Sequence, residues 1–363
     1  MWIDGQYDHL SICFLYKPTN FIFFKKRIEK PRKIQYNQYI LELSMNSHKE
    51  RKIFIMKKIL ALVLVFMLSL GTVAFAAEFK DMPDDWSTAA LTAAVENGLL
   101  GGSGGYIKPS DNMTRAEMAT IMARACGATK EAVITGFTDV KPDDWFYASM
   151  AKAVAMGAFT GSDNKLNPNN PITRQEAFLV LSRVFGLATF DVDTAILDQF
   201  KDGAKVDDWA KDGVAAIIAS GYVAGNDGYL NPLDNISRAE FAVVMDRLIK
   251  YYIDDAEEEI PADGNVMVRV AGVNLDGIKT DSMIVIGDGV GEGDYAIKGA
   301  EINNKLVIRA GTKVSIDGSF AEIATVVPGI VVSGDIDNVK KIYSCDGSSF
   351  EIPTFIMLPG AAE

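Results

Sequence analysis

Histidine is nearly absent from this chain. Of 363 residues only His9 and His48 are histidine, and both lie within the first 76. Without that segment, Ser–His and Cys–His nucleophile pairs and His-ligated metal centres are excluded. Cysteine is almost as scarce, with Cys13, Cys126 and Cys345 and no CxxC pair. Cys126 and Cys345 therefore read as buried thiols rather than as a disulfide. Long apolar runs are missing too. One stretch, Ile59 to Leu70, stands out, so a polytopic membrane protein is excluded. Basic charge is lacking from the main body. The chain has 36 Lys+Arg and 48 Asp+Glu; residues 1–76 hold 12 and 5 of them, which leaves 24 and 43, a balance of −19. Nucleic acid is not the partner of such a surface, because phosphate neutralisation needs clustered cations. The remaining composition, 48% hydrophobic and 23% charged, is that of globular domains and excludes wholesale disorder and collagen.

Met56-Lys57-Lys58, the apolar stretch and Ala74-Phe75-Ala76 form the three parts of a secretory signal, with cleavage predicted after Ala76. The expected mature protein is thus secreted and has no membrane partner. Residues 1–55 precede a signal that belongs at a chain start, so Met56 reads as the true start and 1–55 as a start-site misassignment.

An internal repeat dominates the chain beyond the signal. Trp86, Trp145 and Trp209 each sit 29 residues before an arginine, Arg115, Arg174 and Arg238. Gly98, Gly157 and Gly221 lie 12 after the tryptophan; Gly102, Gly161 and Gly225 lie 16 after; Pro109, Pro168 and Pro232 lie 23 after. A Phe-x-Asp precedes each tryptophan: Phe79/Asp81, Phe137/Asp139, Phe200/Asp202. Each unit predicts helix, loop, helix. The first helix starts near the tryptophan, after paired aspartates suited to a helix N-terminus, and ends at the first glycine. The second opens on Thr114-Arg115-Ala116-Glu117, Thr173-Arg174-Gln175-Glu176 or Ser237-Arg238-Ala239-Glu240, a capping box. Gly213 is expected to weaken the first helix of the third copy. The arginine of each box is locally unfavourable, a cation at the positive end of the helix dipole. It calls for a partner, and two stand open: an aspartate of a neighbouring unit, or an anionic ligand.

These motifs, from Phe79 to Tyr252, resemble three S-layer homology (SLH) domains, expected at 77–127, 136–187 and 198–253. The resemblance implies a pseudo-threefold helical bundle on a secreted bacterial surface protein. It also implies grooves between repeats that bind a secondary cell-wall polysaccharide on peptidoglycan, often pyruvylated. By that resemblance Arg115, Arg174 and Arg238 are the carboxylate ligands, a guanidinium fork matching a carboxylate bidentately. Trp86, Trp145 and Trp209 become groove or core positions; they read first as packing anchors, with stacking on a sugar as the other reading. Gly102, Gly161 and Gly225 would let sugar approach the backbone. Gln175 departs from the usual alanine.

Residues 254–264 read as an acidic linker. In 265–363 short β-branched runs alternate with Gly, Asp and Asn: Val266–Val270, Met283–Ile286, Lys305–Ile308, Lys313–Ile316, Ile330–Val332 and Lys341–Tyr343. They predict a small all-β domain, a short parallel β-solenoid, with a β-sandwich as alternative. The run from Gly287 to Asp294 matches neither a dinucleotide nor a P-loop motif. Its three acids could hold Ca²⁺, but a flexible turn explains them too. The fold expected is therefore multidomain. No catalytic residue, metal or cofactor is assigned. The expected function is non-enzymatic wall anchoring. The alternatives are a wall-attached polysaccharide-acting enzyme with a catalytic β domain, or a self-associating lattice subunit.

Overall fold

The computed structural model describes residues 79–187, 192–337, 339–345 and 348–351. The Met56 start, the signal and the Ala76 cleavage position lie outside these residues. Among the described residues no helix is long and apolar enough to cross a membrane.

Among the described residues six α-helices come in three pairs: α1 (Thr88–Glu96) and α2 (Arg115–Ala125), α3 (Tyr147–Ala155) and α4 (Arg174–Val184), α5 (Lys211–Ala219) and α6 (Arg238–Leu248). The second helix of each pair carries a complete capping box. The Thr114, Thr173 or Ser237 hydroxyl accepts from the Glu117, Glu176 or Glu240 amide, and the glutamate accepts from the cap amide. The first helices start two residues after their tryptophans and lack a side-chain cap. The paired aspartates shape the preceding turn instead, as where Asp85 accepts from the Ser87 amide at 2.8 Å. Gly98, Gly157 and Gly221 end these helices with φ of 68°, 72° and 78°, as expected of C′ glycines.

Pairing between helices is cyclic. α2 packs on α3, α4 on α5, and α6 returns to α1. Each second helix thus packs on the first helix of the next repeat. Gly213 belongs to this packing: a Cβ there would meet Leu179 Cδ1 at 2.6 Å and Cα at 3.0 Å. α5 has nine residues, as α1 and α3 do, and glycine is needed where α4 and α5 touch. Gln175, buried, donates to Asp207 Oδ2 at 2.7 Å and accepts from the Asp207 amide at 3.0 Å. The departure from alanine has become an inter-repeat bond.

The described residues from Tyr251 to Glu351 form a parallel β-solenoid. Strands β1 (Tyr251–Ile253), β2 (Val266–Val268), β4 (Ile284–Ile286), β5 (Tyr295–Ile308) and β6 (Lys313–Thr325) pair in that order. β7 (Val331–Asp337) and β8 (Lys341–Tyr343) both pair with β6, β9 (Ser349–Glu351) with β7, and β3 (Lys279–Thr280) with β5. Every pairing is parallel. Register stacks like on like: Val266, Ile284, Leu306 and Ile323 form one buried interior column. The acidic segment 254–264 lies between β1 and β2, two paired strands of the same coil. β2 and β4 are buried at every position. Their outward residues Met267 and Val285, with Val307 of β5, enter the hydrophobic core of the helical bundle. β6 instead starts with strict alternation, since one of its faces meets water.

Candidate functional site

At the N-terminal ends of α2, α4 and α6 the repeats lock into a ring. The orphan first-turn amides are satisfied by the loop of a neighbouring repeat. Arg115 and Ala116 amides donate to Asn170 and Pro168 carbonyls, Arg174 and Gln175 to Asp234 and Pro232, Arg238 and Ala239 to Asp111 and Pro109. Two residues before each arginine a main-chain circuit closes: Met113 donates to Ile236, Ile236 to Ile172, and Ile172 to Met113, at 2.9 to 3.1 Å. The Phe-x-Asp aspartates set these loops. Asp81, Asp139 and Asp202 each accept from two consecutive amides, the second belonging to Lys108, Asn167 or Asn231. Those three residues hold φ of 51° to 56°, so the carboxylate supports a left-handed position.

The arginines close a second circuit. Arg115 Nη1 donates to Glu176 Oε1 at 2.9 Å, Arg174 to Glu240 at 2.6 Å and Arg238 to Glu117 at 2.8 Å. Each Nε donates to a neighbouring carbonyl, of Leu166, Leu230 and Ile107. The neighbouring partner is thus the capping-box glutamate and not an aspartate. One glutamate oxygen caps its own helix while the other holds the preceding repeat's arginine. Burial alone would lower the Arg115 pKa, opposed by Glu176 and Asp139. An arginine stays charged regardless.

A groove of about 590 Å³ opens beside Arg115. It unites residues from all three repeats: Arg115 from the first, Gly161, Glu176 and Arg183 from the second, Trp209 from the third. Trp209 precedes α5, which packs on α4; the cyclic order places Trp86 beside α6 and Trp145 beside α2. The tryptophans are 65%, 66% and 54% exposed, so the packing-anchor reading is corrected. They are large apolar faces presented to solvent. The loop glycines have a local reason. A Cβ on Gly161 would meet Phe137 at 2.6 Å, and one on Gly225 would meet Phe200 at 2.7 Å; Gly102 lies equally tightly against Phe79. The Phe-x-Asp ring of each repeat thus stands where a Cβ would be, while Gly161 also lines the groove. Sequence reasoning missed Arg124, Arg183 and Arg247. They recur 38 residues after each tryptophan, are exposed, and lie in the last turns of α2, α4 and α6; Arg183 lines the Arg115 groove.

The acids of the Gly287–Asp294 run are committed separately. Asp288 pairs with Arg309, Glu292 with Lys130, and Asp294 accepts from the Lys313 amide. Among the described residues no cluster of His, Cys, Asp and Glu could hold a metal ion.

Comparison with known proteins agrees with the repeats. Residues 78–119, 136–178 and 199–242 match the S-layer homology domain family. The surface-layer 125 kDa protein of Lysinibacillus sphaericus is 32% identical over 209 residues, 56% of this chain and 17% of the relative. The cellulosome-anchoring protein of Acetivibrio thermocellus is 31% identical over 160 residues, 42% and 35% respectively. The exoglucanase XynX of Acetivibrio thermocellus is 26% identical over 183 residues, 50% and 17%. The chain therefore spans well under half the length of these relatives. Repeat geometry and family match converge: the chain is a secreted cell-surface protein that carries three S-layer homology domains, continued by a parallel β-solenoid.

Proposed function

We propose that the grooves between repeats bind an anionic secondary cell-wall polysaccharide, and that the protein is a non-enzymatic anchor. The carrying observation is charge. The Arg115 groove contains Arg115, Arg183 and Glu176 as its charged residues, a net +1 inside a main body of −19. Glu176 neutralises the buried arginine, so the exposed Arg183 supplies the excess. Among the described residues, Nη2 of Arg115 and Arg174 donates to no protein acceptor, while Nη2 of Arg238 is given to the Gly101 carbonyl at 2.8 Å. A pyruvyl-type carboxylate fits between such a buried donor and an exposed arginine. The exposed Trp209 offers a face for a sugar ring.

Grooves that each bind weakly hold the chain by simultaneous engagement. The acidic remainder limits adhesion elsewhere on an anionic wall. The test is a pull-down of the chain from residue 77 with purified sacculi, before and after removal of the secondary polysaccharide. Wild type should sediment with polymer-bearing wall alone, and the Arg115/Arg174/Arg238 triple alanine variant should stay in solution. Equal retention of both would sink the reading. The enzyme alternative takes its support from relatives such as the exoglucanase, and release of sugar from labelled wall glycans would establish it.

A further inference from the structure

The other end of the bundle shows what the solenoid is for. Helix C-termini leave carbonyls without partners and carry partial negative charge. Here those carbonyls are met by the first turns of the coil, one repeat at a time. Arg269, just after β2, donates at 3.3 Å to the carbonyls of Asn97 and Arg124, the ends of α1 and α2. Arg309, just after β5 and fully buried, donates to Met156 and Val184 at 3.2 and 2.9 Å, the ends of α3 and α4. Asn265, just before β2, donates to Leu248 at 2.9 Å, the end of α6, and to the Tyr222 hydroxyl at 2.7 Å.

Main chain and apolar contacts run alongside. The Gly289 amide donates to Cys126, and Lys305 Nζ donates to Gly186. A Cβ at Gly127 would meet the Arg269 carbonyl at 2.8 Å, and one at Gly287 would meet the Cys126 carbonyl at 2.8 Å. The glycine-rich run thus lets two backbones touch. Met267, Met283, Val285 and Val307 complete the bundle's core. The third repeat has no glycine at the corresponding position; after Ile249 and Lys250 the chain enters β1 directly.

We propose that the first solenoid turns are a clamp: they hold the three repeats to one another, so that bundle and coil open as one unit and tension on the coil reaches every groove together. Arg309 is its central member, because it joins two helices of one repeat to Asp288 of the coil at 2.7 Å. It also fixes the last turn of α4, where Arg183 precedes Val184. The clamp does not depend on what the grooves bind.

Hydrogen exchange and thermal unfolding on the chain from residue 77 test it. In the wild type, interior amides of α2 and α4 and those of β5 and β6 should share one opening constant and one thermal transition. Arg309→Met strands the Asp288 carboxylate. It should raise opening constants by about a hundredfold or more and separate bundle from coil. Asp288→Asn added to it should recover part of the loss. If Arg309→Met does not fold, Asn265→Ala provides the milder break, with protection falling first at the end of α6. Wild-type bundle and coil amides opening with unrelated constants would overturn the proposal. So would variants that lower protection in the coil and leave the helix ends unchanged.

Discussion

The two ends of the helical bundle solve the same problem by opposite means. Both present helix termini whose backbone groups need partners. At the N-terminal end the repeats serve each other, and the solution is threefold: the same arginine, glutamate, proline and Phe-x-Asp aspartate in each copy. At the C-terminal end a separate coil serves all three, and the solution has no symmetry: an arginine, another arginine and an asparagine from unrelated positions. A symmetric end repeats one set of contacts three times. An asymmetric end can join a threefold body to a coil that has no such axis.

The largest effect should come from the ring. Arg238 has only 8% of its side chain exposed, against 16% and 14% for Arg115 and Arg174. Arg238→Met leaves Glu117 and two carbonyls unpaired, so chemical denaturation should show a loss of about 3–5 kcal/mol. A loss below that of Arg115→Met would mean the three members are not ranked by burial. Next, Gly213→Ala should cost about 1–3 kcal/mol through overpacking against Leu179, read in the same assay; a gain from helix propensity would show that α4 and α5 can separate.

Binding sharpens the comparison further. Position 170 is asparagine, where the other copies have Asp111 and Asp234. With Nη2 of Arg238 also occupied, the Arg115 groove should dominate and the Arg238 groove contribute least. Arg183→Ala should weaken wall binding by about 1–3 kcal/mol, the range of a charged hydrogen bond, with Arg124→Ala weakest of the three. Equal effects in titrations with isolated polysaccharide would remove the ranking. The smallest stability change belongs to Trp209→Ala. Its exposure predicts a shift within about 0.5 kcal/mol, alongside a measurable loss of wall retention. At the base, burial pushes the Cys126 thiol up to about 12. At pH 8 the folded protein should resist alkylation there, and a rate matching an exposed thiol would show the base to be open.

Much of the symmetric end was legible in the sequence. Repetition at fixed offsets exposed Arg115, Arg174 and Arg238, and capping chemistry explained Thr114 and Glu117. The second task of Glu117, holding Arg238 from 121 residues away, was not legible, because a capping box accounts for the residue completely. The exposure of the tryptophans was not legible either, since burial of an aromatic depends on which helix comes round to face it. Arg124, Arg183 and Arg247 were present in the same register and needed only one more offset. The base was opaque for a different reason. Arg269, Arg309 and Asn265 recur at no period, and their partners are carbonyls, which sequence does not display. One clue existed: Val266–Val268 and Ile284–Ile286 are apolar at every position, as strands are when both faces are covered. Lys313–Ile316 alternates.

The circuit of Met113, Ile172 and Ile236 has a consequence for how such a protein can change its length. A closed loop of three hydrogen bonds has no spare end. Inserting a fourth repeat, or deleting one, leaves an amide and a carbonyl facing each other across a gap they cannot span. Copy number at that end is therefore fixed by closure, not by selection for a particular valency. Beyond the turns that meet the bundle the coil has no such constraint, because each turn there stacks only on its neighbours. A longer chain that keeps the ring closed has one place to add residues, and it is the coil.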